Sequence, residues 1–243
     1  MSKKISIKQF LMRTGRFKKA YDALSSIKEG RITINNKAVT SVNYFFNPKK
    51  SIIRFGEERL RPAKKLYFIL NKPAGYVCQK SQNEKSIYEF IAALNLPKEA
   101  KSSLFSIGRL DKDTEGLLII TNDGKLADSV MNPKNEITKK YYAVLENPLG
   151  VSKIRILEKG IKLKGGDEVY KTRPSKIKLV GEREAYISIS EGKKRQIRLM
   201  FEAIDNKVNY LKRVSIGGIQ LGRLETGEIK QVAKEEIMEK LNT

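Results

Sequence analysis

Gly108-Arg-Leu-Asp-Lys-Asp-Thr-Glu-Gly-Leu-Leu-Ile-Ile-Thr-Asn-Asp-Gly124 sets an acidic, polar segment, Asp111–Glu115, between two short aliphatic runs, Leu104–Ile107 and Leu117–Ile120. Each run is bounded by glycine or polar residues, the pattern of a buried β-strand. A loop held between two buried strands is fixed at the margin of a core, where reactive side chains concentrate. Arg109 and Asp111 stand two residues apart, so in extended backbone they project to one face. A guanidinium beside a carboxylate keeps it ionised and oriented, which suits it to act as nucleophile, base or ligand. The same pair also fits a structural ion pair, and the chemistry alone does not choose among Asp111, Asp113 and Asp123.

Working outward, the chain has 243 residues, room for one medium domain or a small domain joined to a larger one. A fold of that size buries about 70–75% of its unfolded surface and needs no disulfide. The 49 Lys and Arg residues outnumber the 27 Asp and Glu, giving a net charge of +22. Such an excess repels itself unless a polyanion binds, with nucleic acid the first candidate and an anionic membrane surface the second. No apolar stretch approaches the roughly 18 residues of a spanning helix, and the N-terminus lacks a signal peptide's apolar core. A cytoplasmic, RNA-facing monomer with no membrane association is expected. The absence of histidine excludes a His-based triad or acid–base pair. A single cysteine, Cys78, excludes disulfides and Cys/His zinc sites, and its apolar surroundings predict a buried thiol. Carboxylates remain as the reactive groups.

The charge is unevenly spread. Residues 1–65 carry 17 Lys and Arg against 4 Asp and Glu, a net +13. Within them Ile7, Phe10, Leu11 and then Ala20, Tyr21, Leu24, Ile27 recur at helical spacing, separated at Gly15 and ended at Gly30. An alternating stretch, Arg31–Val39, with an Asn35-Asn36 turn, and another at Ser51–Phe55 predict strands. Arg61–Lys65 reads as a linker, so domains at 1–62 and 65–243 are expected. In the second, strands are predicted at Leu66–Leu70, Leu104–Ile107, Leu117–Ile120, Lys140–Leu145, Thr172–Val180, Glu184–Ser190 and Val208–Ile216. Helices are predicted near Ser86–Leu94, at Gly124–Met131 and at Lys194–Ala203. Strands interleaved with short helices and glycine turns predict an α+β fold with a largely antiparallel sheet.

Gly108-Arg-Leu-Asp111…Thr114…Gly116-Leu-Leu…Thr121-Asn-Asp-Gly124 resembles the signature of the RsuA/RluB family of ribosomal RNA pseudouridine synthases. Two further runs fit the same family: Lys139-Lys-Tyr141-Tyr-Ala-Val144, and Gly192-Lys-Lys-Arg195-Gln-Ile-Arg198. The resemblance implies a pseudouridine synthase catalytic domain with a largely antiparallel mixed sheet and flanking helices. The basic N-terminal segment resembles a small S4-like RNA-binding domain, although the usual Arg-Leu-Asp of its first helix reads Ser6-Ile7-Lys8 here. By resemblance, Asp111 is the catalytic carboxylate, Tyr141 stacks on the flipped uracil, and Arg198 pairs with the catalytic aspartate. Ile197, packing on the tyrosine, joins Arg109 and Arg195 on the substrate side. The implied reaction isomerises a uridine of ribosomal RNA to pseudouridine without metal or organic cofactor. The runs Met200–Val208 and Gly217–Gly222 lean toward the small-subunit enzymes. Two other readings stay open on the residues: a non-catalytic ribosome-assembly RNA-binding factor, and a nuclease holding magnesium on Asp111, Asp113 and Asp123.

Overall fold

A computed structural model describes residues 4–17, 19–165 and 168–241, apart from the side chains at 165 and 168. By contacts the chain divides into two compact units, Met1–Leu66 with Ile91–Phe105, and Tyr67–Phe90 with Ser106–Thr243.

The first unit opens with β1 (Ile5–Ser6), α1 (Ile7–Thr14) and α2 (Ala20–Lys28), followed by β2 (Ile32–Ile34), β3 (Lys37–Ala38), β4 (Phe45–Phe46), β5 (Ile53–Phe55) and β6 (Glu58–Leu60). Ser6 and Gln9 cap α1 reciprocally, each side chain bonding the other's backbone N–H. Gly15 ends it at φ +73°, and a Cβ there would lie 1.9 Å from the Glu99 carbonyl oxygen, so only glycine fits. Asn35 and Asn36 both take positive φ and turn β2 into β3, as the asparagine pair predicts. The strands order as β3-β2-β5-β6, with β1 and β4 forming a separate pair. Ile7, Phe10, Leu11, Phe17, Ala23, Ile27, Ile32, Ile53 and Leu60 form a core of the unit's own.

The second unit is built on a nine-stranded sheet. In chain order come β7 (Tyr67–Lys72), α3 (Tyr88–Ala93), α4 (Lys98–Ser103, grouped with the first unit), β8 (Phe105–Ile107), β9 (Glu115–Thr121), α5 (Gly124–Met131) and β10 (Lys139–Leu145). Then follow α6 (Val151–Glu158), β11 (Lys162–Gly165), β12 (Glu168–Lys171), β13 (Lys176–Leu179), β14 (Glu184–Ile189), α7 (Gln196–Glu202), β15 (Val208–Ile216), β16 (Ile219–Gln220), β17 (Ile229–Gln231) and α8 (Lys234–Leu241). The main path is β13-β14-β10-β15-β9-β7-β17, with β16 on β15 and β8 on β9. Along the main path and in β15 with β16, every pairing is antiparallel except β15 with β9. The expected α+β class with a largely antiparallel mixed sheet is the observed one.

Two runs differ from the sequence reading. The strand expected over Thr172–Val180 is confined to β13, because Pro174 lacks an N–H and its neighbours bind elsewhere. The Thr172 hydroxyl accepts from the Ile161 N–H, and the Ser175 hydroxyl donates to the Leu157 carbonyl. The helix expected from Lys194 starts at Gln196, since Arg195 adopts φ +53° at its cap. Among the described residues no helix is long and apolar enough to cross a membrane.

Candidate active site

β9 is buried along both faces from Gly116 onward, and β7 beside it is buried throughout. Between β8 and β9 runs the Asp111 loop, and the structure shows what holds it. The Thr114 N–H closes a turn onto the Asp111 carbonyl at 3.1 Å. On the side before the aspartate, the Leu110 N–H donates to the Cys78 sulfur at 3.3 Å, and that thiol donates to the Leu110 carbonyl at 3.4 Å. On the side after it, the Gly75 N–H donates to the Lys112 carbonyl at 2.7 Å. The Lys72 ammonium, 0% exposed, donates to the carbonyls of Pro73, Lys112 and Thr114 at 2.9, 3.3 and 2.8 Å. A buried cation satisfied by three carbonyls is a rigid clamp, because loosening any bond strands a charge away from water. Burial pushes Lys72 below the ordinary lysine range, while the charges of Asp113, Glu115 and Asp111 pull it back up. Burial likewise raises the Cys78 thiol, so it serves as a backbone tie and not as a thiolate.

Within this clamp Asp111 is half-buried, and among the described residues its carboxylate forms no salt bridge. The arginines go to Asp113. Arg198, 7% exposed, reaches the Asp113 carboxylate at 3.1 Å, and the exposed Arg195 reaches it at 3.4 Å. Arg198 also donates to the Val208 carbonyl at 2.6 Å, and its Nε is buried without a partner. The pairing of Arg198 with Asp111 that the resemblance implies is thus not formed in this structure; the partner carboxylate lies two residues on, across the same turn. Arg109 is exposed and makes no ion pair among the described residues.

Arg195 and Arg198 are placed by the turn Glu191–Arg195. Glu191 accepts from the Arg173 N–H and the Gln196 amide at 2.8 and 2.6 Å, and the Gln196 carbonyl oxygen accepts from the Lys193 N–H. That part-buried amide–carboxylate bond fixes the register at which α7 begins. Ile197 is buried on the same helix. Tyr141 enters from β10, 7% exposed, and lies directly across from Ile187 on β14 and Arg213 on β15. The neighbouring Tyr142 faces the other way, its ring against Tyr186 and Tyr210 and its hydroxyl on Glu184. The two tyrosines therefore divide between the sheet faces, as strand alternation predicts.

Asp123 belongs elsewhere. It is 4% exposed, caps α5 by accepting from the Lys125 N–H at 3.2 Å, and accepts from the Tyr67 hydroxyl at 3.0 Å. That bond and burial raise the tyrosine above its ordinary value, burial being the larger cause. Asp123 is thus a helix cap, and the trio of aspartates proposed for magnesium does not converge on one point. Among the described residues no group of three acidic or Cys side chains is placed to hold a metal.

Sequence reasoning passed over Lys72, Arg213 and the Glu191–Gln196 bond. A lysine one residue past an apolar run and followed by proline is the one signal the sequence offers for Lys72.

Residues 66–203 match the family of RNA pseudouridylate synthases. The ribosomal large subunit pseudouridine synthase B of Bacillus subtilis is 37% identical over 221 residues, covering 87% of this chain and 85% of that protein. The ribosomal small subunit pseudouridine synthase A of Haemophilus influenzae is 34% identical, covering 88% and 90%. A crystallised pseudouridylate synthase superposes over 98% of this chain and 99% of its own, with a TM-score of 0.69 and 32% identity.

Proposed function

The chain belongs to the RNA pseudouridylate synthase family, and from that premise we propose that it isomerises a uridine of ribosomal RNA to pseudouridine with Asp111 as the reactive carboxylate. The observation that carries this reading is the Asp111 loop itself. Its backbone is tied on both sides of the aspartate by buried partners, while the carboxylate is left half-exposed and unpaired. A nucleophile or base needs that combination: a fixed position and a free face toward the substrate.

In this account the target uridine leaves its helix and its ring rests on Tyr141, which replaces lost stacking worth about 1–3 kcal/mol. The Asp111 carboxylate then either adds to the sugar carbon or removes the neighbouring sugar proton to give a glycal. The base turns and rejoins through carbon 5. Arg198 exchanges Asp113 for Asp111 as the base enters, a short move because both carboxylates sit on one turn. Arg109 and Arg195, both exposed, face the phosphates. The named relatives act on ribosomal RNA of both subunits, and ribosomal RNA is the substrate class that the net charge of +22 suits. Residues 1–62 act as an S4-like RNA-binding domain and residues 65–243 as the catalytic domain of a cytoplasmic monomer.

The test is tritium release from RNA labelled at uridine carbon 5, in chelator, with RNA binding followed in parallel. Asp111→Asn should abolish release yet bind RNA as the parent does, because phosphate contacts dominate affinity. Asp113→Asn should keep at least about a tenth of the activity, since asparagine still offers Arg198 a carbonyl. Asp123→Asn should stay active but melt lower, since asparagine still caps the helix but accepts the buried Tyr67 hydroxyl without a charge. Full activity in Asp111→Asn would overturn the assignment, and strand scission restored by magnesium would replace it with a nuclease.

A further inference from the structure

Arg213 is 4% exposed, on β15, and its Nε donates to the Leu117 carbonyl on β9 at 2.8 Å. Its Nη2 is fully buried and has no hydrogen-bond partner, and among the described residues no carboxylate pairs with it. A guanidinium shut away from water with an idle donor and no counter-charge is a costly thing to keep in a core. Its place in the sheet suggests a use. Arg213 is the direct cross-strand partner of Tyr141 on one side and of Gly116 on the other, and side chains directly opposite in a sheet stand together on one face. Gly116 takes φ +106°, and a Cβ on it would lie 2.2 Å from the Arg213 carbonyl oxygen, so β9 and β15 are drawn close at this point.

We propose that Arg213 is the charge that stabilises the detached uracil, its fixed guanidinium acting from the sheet face that carries Tyr141 on the ring held there. This rests on the reading of Asp111 and Tyr141 given above. On either chemical route the bond between the ring nitrogen and C1′ breaks with its electron pair staying on the ring. If the carboxylate adds, C1′ takes a pair from an Asp111 oxygen; if a glycal forms, the carboxylate takes the 2′ proton and the freed pair closes the sugar double bond. In both cases the ring departs as an anion, its charge shared between the nitrogen and the two carbonyl oxygens. When C5 bonds to C1′ the Asp111 carboxylate is regenerated, by breaking its bond to C1′ on the first route or by returning its proton to C2′ on the second, so the negative charge passes from the ring back to the carboxylate. C5 then gives up its proton and the ring nitrogen gains one, so bonds and protons balance across the isomerisation. The chain has no histidine to protonate the leaving ring, and a fixed cation beside it meets the same need.

The test compares Arg213→Gln and Arg213→Lys with Asp111→Asn in single-turnover tritium release, with RNA affinity and thermal unfolding measured on each protein. Glutamine can still donate to the Leu117 carbonyl but carries no charge; lysine keeps the charge and loses the fork. Arg213→Gln should be slower by about 100-fold or more, the usual loss when one donor to developing charge is removed, with RNA affinity unchanged. Arg213→Lys should recover at least about tenfold of that loss, which a mere strand tie does not explain. A glutamine variant at the parental rate, or faster than the lysine variant, overturns the proposal while leaving Asp111 in place. Activity in Asp111→Asn removes the site reading and this proposal together. Should the glutamine protein not fold, a folded Arg213→Lys within about tenfold of the parent sustains the assignment, and one slower by about 100-fold rejects it.

Discussion

Arg198 pairs with Asp113 in the structure and with Asp111 in the proposed reaction, and both pairings bear on what its replacement does. It is nearly buried, bonded to Asp113 and to the Val208 carbonyl. Arg198→Leu leaves that buried carbonyl without its donor and Asp113 with the exposed Arg195 alone, so activity should vanish and stability fall by about 1–3 kcal/mol. Arg198→Lys keeps a charge but not the fork and should restore activity only in part. A leucine variant turning over at the parental rate would show that the arginine merely fills space. Lys72 is the other decisive side chain. Lys72→Met strips three carbonyls of their donor and should cost about 3 kcal/mol, with activity falling further than stability because the Asp111 loop is released. Burial lowers the Lys72 ammonium below its ordinary value of 10.5, so the folded chain gives up this proton before the unfolded chain does. Just below pH 10.5 the unfolded state therefore binds more protons, and the Lys72 contribution to stability rises with pH through that window. Urea titrations of the parent and Lys72→Met at neutral and alkaline pH should show the gap widening; a narrowing gap would contradict the burial.

The strands carrying the site were legible because they are long in pattern and poor in alternatives. β9, β10, β14 and β15 were each read within about two residues, a normal scatter for element ends. Buried aliphatic runs and strict alternation leave little else for such a sequence to be. What escaped was short or charged. α6 buries one side chain fully, Leu157, and α8 buries Ile237 and Leu241 under a charged sequence, so neither shows a broad apolar stripe. β17 lies at the sheet edge and has no buried residue. The Asp111 motif was legible as a loop between strands, whereas its clamp was not, because Lys72 and Cys78 lie more than thirty residues upstream and act through backbone atoms. Long-range backbone contacts leave no periodic trace in sequence. The close approach of β9 to β15 depends on Gly116, whose φ of +106° and position against the Arg213 carbonyl leave no room for a side chain. Gly116→Ala should therefore part β9 from β15, destabilising the protein by at least about 3 kcal/mol and lowering activity more steeply than a distant mutation of equal cost. Circular dichroism melting with tritium release on the same protein checks this, and an alanine variant with parental stability would show that the two strands can separate harmlessly.

Charge is distributed over the chain in a way that separates affinity from chemistry. Residues 1–65 hold a net +13 of the total +22, while every residue assigned to the reaction lies beyond them. The first unit nevertheless includes Ile91–Phe105, and α1 packs on α4 inside it. Deleting residues 1–62 would thus strip α4 of its partner and confuse lost binding with lost packing. Removing charge and keeping the fold is the cleaner comparison. Lys8, Arg13, Lys19 and Lys28 are exposed on or beside α1 and α2, outside the unit's core. Their joint replacement by glutamine should leave melting within about 0.5 kcal/mol of the parent, as exposed substitutions usually do. RNA affinity should fall, and the slope of log affinity against log salt should flatten by up to about three, since each lost phosphate contact releases fewer counterions. The single-turnover rate at saturating enzyme should not change, because none of the four lies near Asp111 in the chain or in its unit. An unaltered salt slope would show that RNA does not bind this surface, and a slowed chemical step at saturation would show that the first unit takes part in catalysis.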